Sequence, residues 1–186
     1  MRELWNMWSG ELDSATIDNI ITECEYYAPK DASLGLDGRQ DSDYRRSEVR
    51  WIDKNDSNSK FIADLIWYYV ENANRNAFGF DITGIFDIQY TIYKAEDEGK
   101  YDWHHDTFWG NGGAYDRKLS VIFQLSDPSD YDGGQFEIDH QYPQPTGFNE
   151  KGSVIVFPSF IPHRVTEVTR GTRKSLVAWI EGPKFR

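Results

Sequence analysis

One cysteine, Cys24, stands in a chain of 186 residues, so an internal disulfide and a four-cysteine zinc site are both excluded. Long apolar runs are missing as well. No window approaches about 18 apolar residues, and the opening MRELWNMWSG has no apolar core of a secretory leader, so neither a membrane span nor export is expected. Positive charge is scarce: 20 Lys and Arg face 31 Asp and Glu, a net charge of -11 that argues against an electrostatic grip on nucleic acid or an anionic membrane. The expectation is a cytoplasmic protein without nucleic-acid or membrane partners. What the chain does have is apolar mass. With 39% hydrophobic and 16% aromatic residues it can build one core of ordinary size, needing neither crosslink nor metal simply to fold.

Two helices are legible. Ile17, Ile20, Ile21, Cys24 and Tyr27 recur at helical spacing between a polar cap at Asp13 or Ser14 and the stop at Pro29. A second helix, starting near Ser57 to Ser59 and ending by Gly79, puts Ile62, Leu65, Ile66, Tyr69, Val70 and Ala73 on one face. The Asp-, Gly- and Ser-rich residues 30–47 between them read as a long loop, of the kind that serves as a lid or binding loop. From Phe80 onward the period becomes two. Phe86, Ile88, Tyr90 and Ile92 alternate with Asp87, Gln89, Thr91 and Tyr93, and Leu119, Val121, Phe123 and Leu125 alternate with Ser120, Ile122 and Gln124. Further strands are predicted at residues 48–52, 101–106, 135–138, 153–157, 163–168 and 173–180. Turn signals separate them at residues 110–113, 132–134, 143–147 and 170–171. The pattern predicts a mainly β fold, a sandwich or jelly roll with flanking α-helices, in one domain: residues 1–79 as helical support and 80–186 as the core.

The placement of four histidines carries the chemical information. His104 and Asp106 are two apart in a strand-like segment, so they leave one face of it while His105 leaves the other. His163, at the start of another predicted strand, could complete a set of two imidazoles and one carboxylate. Such a set leaves one face of an octahedral iron(II) open for a cosubstrate and dioxygen. Ten residues further on, Arg173 alternates with Ser175, Val177 and Trp179. A guanidinium holds a carboxylate in two hydrogen bonds, and Ser175 could add a third from the same face. Taken singly, the His-x-Asp triplet fits a solvated turn, His163 a core histidine and Arg173 a charge on a strand edge. The order of all of them is far more restrictive.

With these residues in place, the chain resembles the iron(II)- and 2-oxoglutarate-dependent dioxygenases, and among them the prolyl 4-hydroxylase-like branch that includes the PKHD-type hydroxylases. The resemblance runs from Tyr93 through GKYDWHHD (residues 99–106) and LSVIFQLSDPSDYDGGQFEI (119–138) to GSVIVFPSFIPHRVTEVTRGTRKSLVAWIEGP (152–183), with a looser match at residues 46–52. It implies a double-stranded β-helix, a distorted jelly roll with the metal in its open end. It also implies Fe(II) on His104, Asp106 and His163, and 2-oxoglutarate held at its distal carboxylate by Arg173. By the same resemblance Tyr93 donates a hydrogen bond near the cosubstrate, Trp179 lines its pocket, and Ser120, Ile122 and Gln124 occupy inward positions around it. Gln124 stands where some prolyl hydroxylases carry a tyrosine, and residues 95–98 lengthen the loop before His104. The acceptor implied is a prolyl residue of a protein or peptide, and Tyr44, Phe108, Trp109 and Tyr115 of the flanking loops could stack on its ring or pack beneath the loops. A small-molecule hydroxylase would share every motif.

Other readings fit less well. A nucleic-acid demethylase of the AlkB type resembles an arginine pair spaced R-x5-R, but Trp179 occupies the second position. A non-catalytic jelly-roll binding module would need neither Arg173 nor Tyr93 in these places. Asp130 to Gly133 resembles a calcium loop, but Pro128 sits at the first ligand position, so a hairpin turn is expected there. The cluster Gly110, Gly112, Gly113 lacks the context of a dinucleotide site, His140 reads as a solvated loop histidine, and Cys24 reads as core packing.

Overall fold

A computed structural model of the chain describes residues 3–32, 41–109, 112–139 and 143–185. The elements in chain order begin with β1 (Asn6–Trp8), α1 (Ser14–Glu25), β2 (Lys30–Asp31), β3 (Arg45–Arg46), β4 (Glu48–Ile52) and α2 (Lys60–Ala73). There follow β5 (Gly84–Lys94), β6 (Lys100–His104), β7 (Tyr115–Gln124), β8 (Tyr131–Gly133) and β9 (Phe136–Ile138), then β10 (Val154–Pro158), β11 (His163–Val165) and β12 (Val168–Pro183). Asp13 caps α1 by accepting a hydrogen bond from the Thr16 N–H at 2.7 Å. The second helix passes into a π-turn, Asn74–Phe78, which Gly79 ends at a φ of 68°.

The strands form two antiparallel sheets. The larger runs β1-β10-β7-β12-β5-β4-β2 with β8 added to β12, and the smaller runs β3-β6-β11-β9. Alternation along the three long central strands separates the interior into two sides. Ile88, Tyr90 and Ile92 of β5, Leu119, Val121 and Phe123 of β7, and Leu176, Ala178 and Ile180 of β12 pack with Ile17, Ile20, Ile62, Ile66 and Val70 of the helices. The opposite parity, Thr91, Ile122, Arg173, Ser175, Val177 and Trp179, lines a cavity shared with residues of the smaller sheet. The helices therefore seal one face of the large sheet, which leaves the other face free to carry polar side chains.

Several expectations from sequence need correction. The turn predicted at Arg170-Gly171 is absent, and β12 runs through it. The segment from Asp130, expected as a hairpin turn, instead supplies β8, paired with β12. Two glycines explain both differences: Gly133 and Gly171 have φ of 73° and 71°, and a Cβ there would lie 2.0 Å from the Glu167 carbonyl oxygen and 1.9 Å from that of Asp130. Residues 1–79 are not only helical: besides the strand expected at 48–52, which is β4 and pairs directly with β5, they contribute β1, β2 and β3. These three strands of two or three residues are too short to show a period of two. The strand predicted over 101–106 ends at His104, so Asp106 lies beyond it. Gly110 and His140 lie outside the described residues, as does the middle of the loop predicted over 30–47, whose ends hold β2 and β3.

Candidate active site

Strand register brings the two histidines together. His104 ends β6, His163 begins β11, and the two are direct partners across the ladder with ring centroids 4.2 Å apart. Each ring donates its Nδ1–H to a backbone carbonyl, His104 to Asp102 at 2.7 Å and His163 to Ile161 at 3.0 Å. That fixes the tautomer and leaves both Nε2 lone pairs available to a metal. Asp106 is aimed by a turn rather than by a strand. The N–H groups of Asp106 and Thr107 donate to the Ser159 carbonyl at 2.7 and 3.2 Å. The Ser120 hydroxyl donates to Asp106 Oδ2 at 2.6 Å and lies 2.9 Å from the Ser159 hydroxyl. Asp106 Oδ1 is 3.9 Å from His104 Nε2, and Oδ2 is 3.6 Å from His163 Nε2. Among the described residues, His104, Asp106 and His163 form the one group of three potential ligands, all within 4.8 Å. His105 is exposed and turns away, toward Trp109.

Protonation states suit a metal. Burial, reinforced by His163, holds the His104 pKa well below 6.5, so this ring is neutral even though it lies beside a carboxylate. Burial by itself would raise the Asp106 pKa, but the two histidines, Ser120 and Arg117 outweigh it and hold the group below 3.8. A neutral imidazole beside an ionised carboxylate is the donor set a divalent cation requires. Two nitrogens and one oxygen, with open positions, suit iron(II).

Arg173 lies in the same cavity, 2% exposed and opposite Tyr93 in register, with its guanidinium carbon 5.7 Å from that ring. Among the described residues it makes no hydrogen bond or ion pair, so a buried charge faces the cavity without a counterion. Ser175 follows on the same side, while Lys174 points outward to Glu25 at 3.1 Å. Tyr93, Ile122 and Trp179 also line the cavity. Two of the inward positions have other partners than expected. Ser120 holds Asp106, and Gln124 donates to the Tyr131 hydroxyl at 2.6 Å, facing a second hollow that Arg173 also borders. The cause is β8, which lays Tyr131 over Gln124. Of the four loop aromatics, Tyr44 is tied to the Trp103 carbonyl and Phe108 covers Arg117, whereas Trp109 and Tyr115 are exposed.

Sequence reasoning missed Ser159, Tyr131 and Arg45. Ser159 acts mainly through its backbone oxygen, for which no sequence signal exists, and Tyr131 sat in a segment read as a turn. Arg45, in a two-residue strand, lines the cavity and bonds Gln89 at 2.8 Å; its place just before the match at residues 46–52 was the one available hint.

Comparison with known proteins agrees with this geometry. Residues 88–181 match the family model of the 2OG-Fe(II) oxygenase superfamily, and the chain belongs to that superfamily, whose members use iron(II) and 2-oxoglutarate. A PKHD-type hydroxylase of Synechococcus sp. is 38% identical over 96 residues, a match spanning 50% of this chain and 41% of that protein. A PKHD-type hydroxylase of Nitrosomonas europaea is 28% identical over 176 residues, covering 89% and 77%. Among solved structures, a Pseudomonas putida prolyl-4-hydroxylase superposes with a TM-score of 0.72 at 18% identity, covering 97% of this chain and 94% of that one. A Trichoplax adhaerens prolyl hydroxylase, solved with a hypoxia inducible factor peptide fragment, gives 0.75 at 15% identity over 95% and 83%. The fold is the double-stranded β-helix that the resemblance implied. Among the described residues no helix is long and apolar enough to cross a membrane.

Proposed function

We propose that the chain, acting as one catalytic domain, hydroxylates a prolyl residue of a protein or peptide at the expense of 2-oxoglutarate and dioxygen. The observation that carries this is the pairing, in one cavity, of the His104–Asp106–His163 cluster with the buried Arg173, which has no partner among the described residues. Iron(II), when bound, supplies the oxidising chemistry that no side chain can provide. The protein's part is to hold and orient. His104 and His163 present Nε2 because their Nδ1–H groups are engaged, and the Ser120 bond keeps Asp106 Oδ2 occupied and leaves Oδ1 to ligate. Arg173 receives the distal carboxylate of 2-oxoglutarate, with the Ser175 hydroxyl beside it and Tyr93 and Trp179 closing the walls. Apolar Ile122, Val177 and Phe136 keep the space between these ends dry.

Anaerobic titration with iron(II) and then 2-oxoglutarate should produce a weak visible charge-transfer band in the native chain and none in the His104→Ala, Asp106→Ala or His163→Ala variants, while His105→Ala keeps it. In air, a proline-containing peptide should raise succinate formation and gain one oxygen by mass spectrometry. A band with no prolyl peptide oxidised would keep the oxygenase and refute the prolyl acceptor. No band in folded protein would refute both.

A further inference from the structure

Arg45 and Arg173 are the buried arginines among the described residues, at 9% and 2% exposure. Neither has an acid within ion-pair distance among the described residues. The more exposed Arg46, Arg50, Arg117, Arg164 and Arg170 each face a carboxylate within ion-pair distance. This inverts the usual rule, because burial raises the need for a counter-charge. Arg173 has its explanation in 2-oxoglutarate, whereas Arg45 has none yet. Its Nε donates to the Ser47 hydroxyl at 3.0 Å and its Nη2 to Gln89 Oε1 at 2.8 Å, both neutral acceptors, and Nη1 has no partner among the described residues.

Its position is informative. The Arg45 guanidinium lies 4.3 Å over the Tyr101 ring, and Tyr101 stacks on His104 at a centroid separation of 3.4 Å. Arg45 is therefore two stacked layers from a residue of the metal cluster and borders the same cavity. The charges can be balanced on the proposed reading, on which this inference rests. Iron(II) with one carboxylate ligand keeps one positive charge and Arg173 adds another, and dianionic 2-oxoglutarate answers both. Arg45 is left over.

We propose that Arg45 binds a carboxylate of the molecule being oxidised, a few bonds from the C–H group that reacts. A neutral amide carbonyl would add a third acceptor of the kind Arg45 already has and leave the charge uncompensated, whereas a carboxylate pairs with Nη1 and supplies the missing charge. The carboxylate belongs either to a small free acid or to a peptide residue beside the target.

The test uses the whole chain loaded with manganese(II) and 2-oxoglutarate, so that binding is read without turnover. Two isosteric pairs serve as probes: N-acetyl-L-proline against N-acetyl-L-prolinamide, and acetyl-Gly-Pro-Glu-amide against acetyl-Gly-Pro-Gln-amide. In at least one pair the acid should bind about tenfold more tightly by calorimetry, and the pair that shows it identifies the source. Arg45→Gln should bring that ratio to about one. Equal binding of acid and amide in both pairs would overturn the proposal, and that comparison needs no variant. A preference that survives in folded Arg45→Gln would overturn it too. A purely structural Arg45, clamping Tyr101, would weaken acid and amide alike and leave their ratio intact. The two readings fail separately. An Arg45-dependent acid preference with no hydroxyproline formed by the iron enzyme keeps this inference and sinks the prolyl acceptor; hydroxyproline formed from probes that bind without acid preference does the reverse.

Discussion

Replacing Arg173 by Met should have opposite effects on the ligand-free protein and on its complex. In the ligand-free chain Arg173 is a guanidinium at 2% exposure with no acid partner among the described residues, so its desolvation is uncompensated. Met has a similar stem and no charge, so the variant should melt no lower than the native chain. Binding of 2-oxoglutarate should suffer. Removing one partner of a buried charge pair costs about 2–5 kcal/mol, and a middle value of about 3 kcal/mol corresponds to roughly a hundredfold rise in Kd. Lys174 is the internal control, since it sits next in sequence but faces the helix side, where it pairs with Glu25 and is about a third exposed. Lys174→Met should shift Kd by less than about twofold, because an exposed pair is worth about 0–1 kcal/mol and does not touch the cavity. The assay is paired: thermal melting without ligand, and calorimetric titration of 2-oxoglutarate into the manganese(II) form. A larger affinity loss at Lys174 than at Arg173 would refute the register on which the site depends. A large drop in ligand-free melting temperature for Arg173→Met would refute the claim that its charge lacks a partner.

Ser120→Ala should weaken metal binding by about tenfold without unfolding the chain, because Asp106 loses the bond that fixes its orientation; Ser120→Thr, which keeps the hydroxyl, should recover most of the affinity, and equal losses in the two would argue against this role. The metal-free protein should lose stability as pH falls. Below about 6.5 the unfolded chain protonates His104 while the folded chain, with its lowered pKa, does not, so the unfolded state binds more protons and gains; Asp106 acts in the same direction below 3.8. Melting temperatures measured from about pH 7.5 down to about pH 5 should fall, and less steeply in His104→Gln; an equal slope in both would remove His104 as the cause. Ile66→Ala, at a fully buried position between α2 and the large sheet, should cost about 2–5 kcal/mol by denaturant titration and leave the 2-oxoglutarate Kd of the folded protein unchanged, since the cavity lies on the sheet's other face.

Much of the site was legible because its parts obey local periods. Arg173, Ser175, Val177 and Trp179 had to share a face once that segment was a strand, and Lys174 had to leave it. The same alternation put Ile122 inside, and helical spacing identified the faces of α1 and α2 that cover the sheet. The resemblance of the His-x-Asp segment and its distant histidine to a known family supplied what periodicity cannot, the chemistry. Pairing over long separations was not legible. That His163 is the ladder partner of His104, that Ser120 and Ser159 hold Asp106, and that Tyr131 rests on Gln124 depends on contacts between segments 7 to 59 residues apart, to which no local pattern points. Gly133 and Gly171 were read as turns because glycine favours positive φ, yet here that freedom lets two backbones approach inside a sheet. The two-residue strand β3 decided the most, since it buries Arg45 beside the His104–Asp106–His163 cluster with no acid to meet it among the described residues, a fact of burial rather than of sequence. The sequence by itself determined which side chains share a face; only the tertiary structure decided which faces meet, because strand pairing and desolvation join residues that the chain keeps far apart.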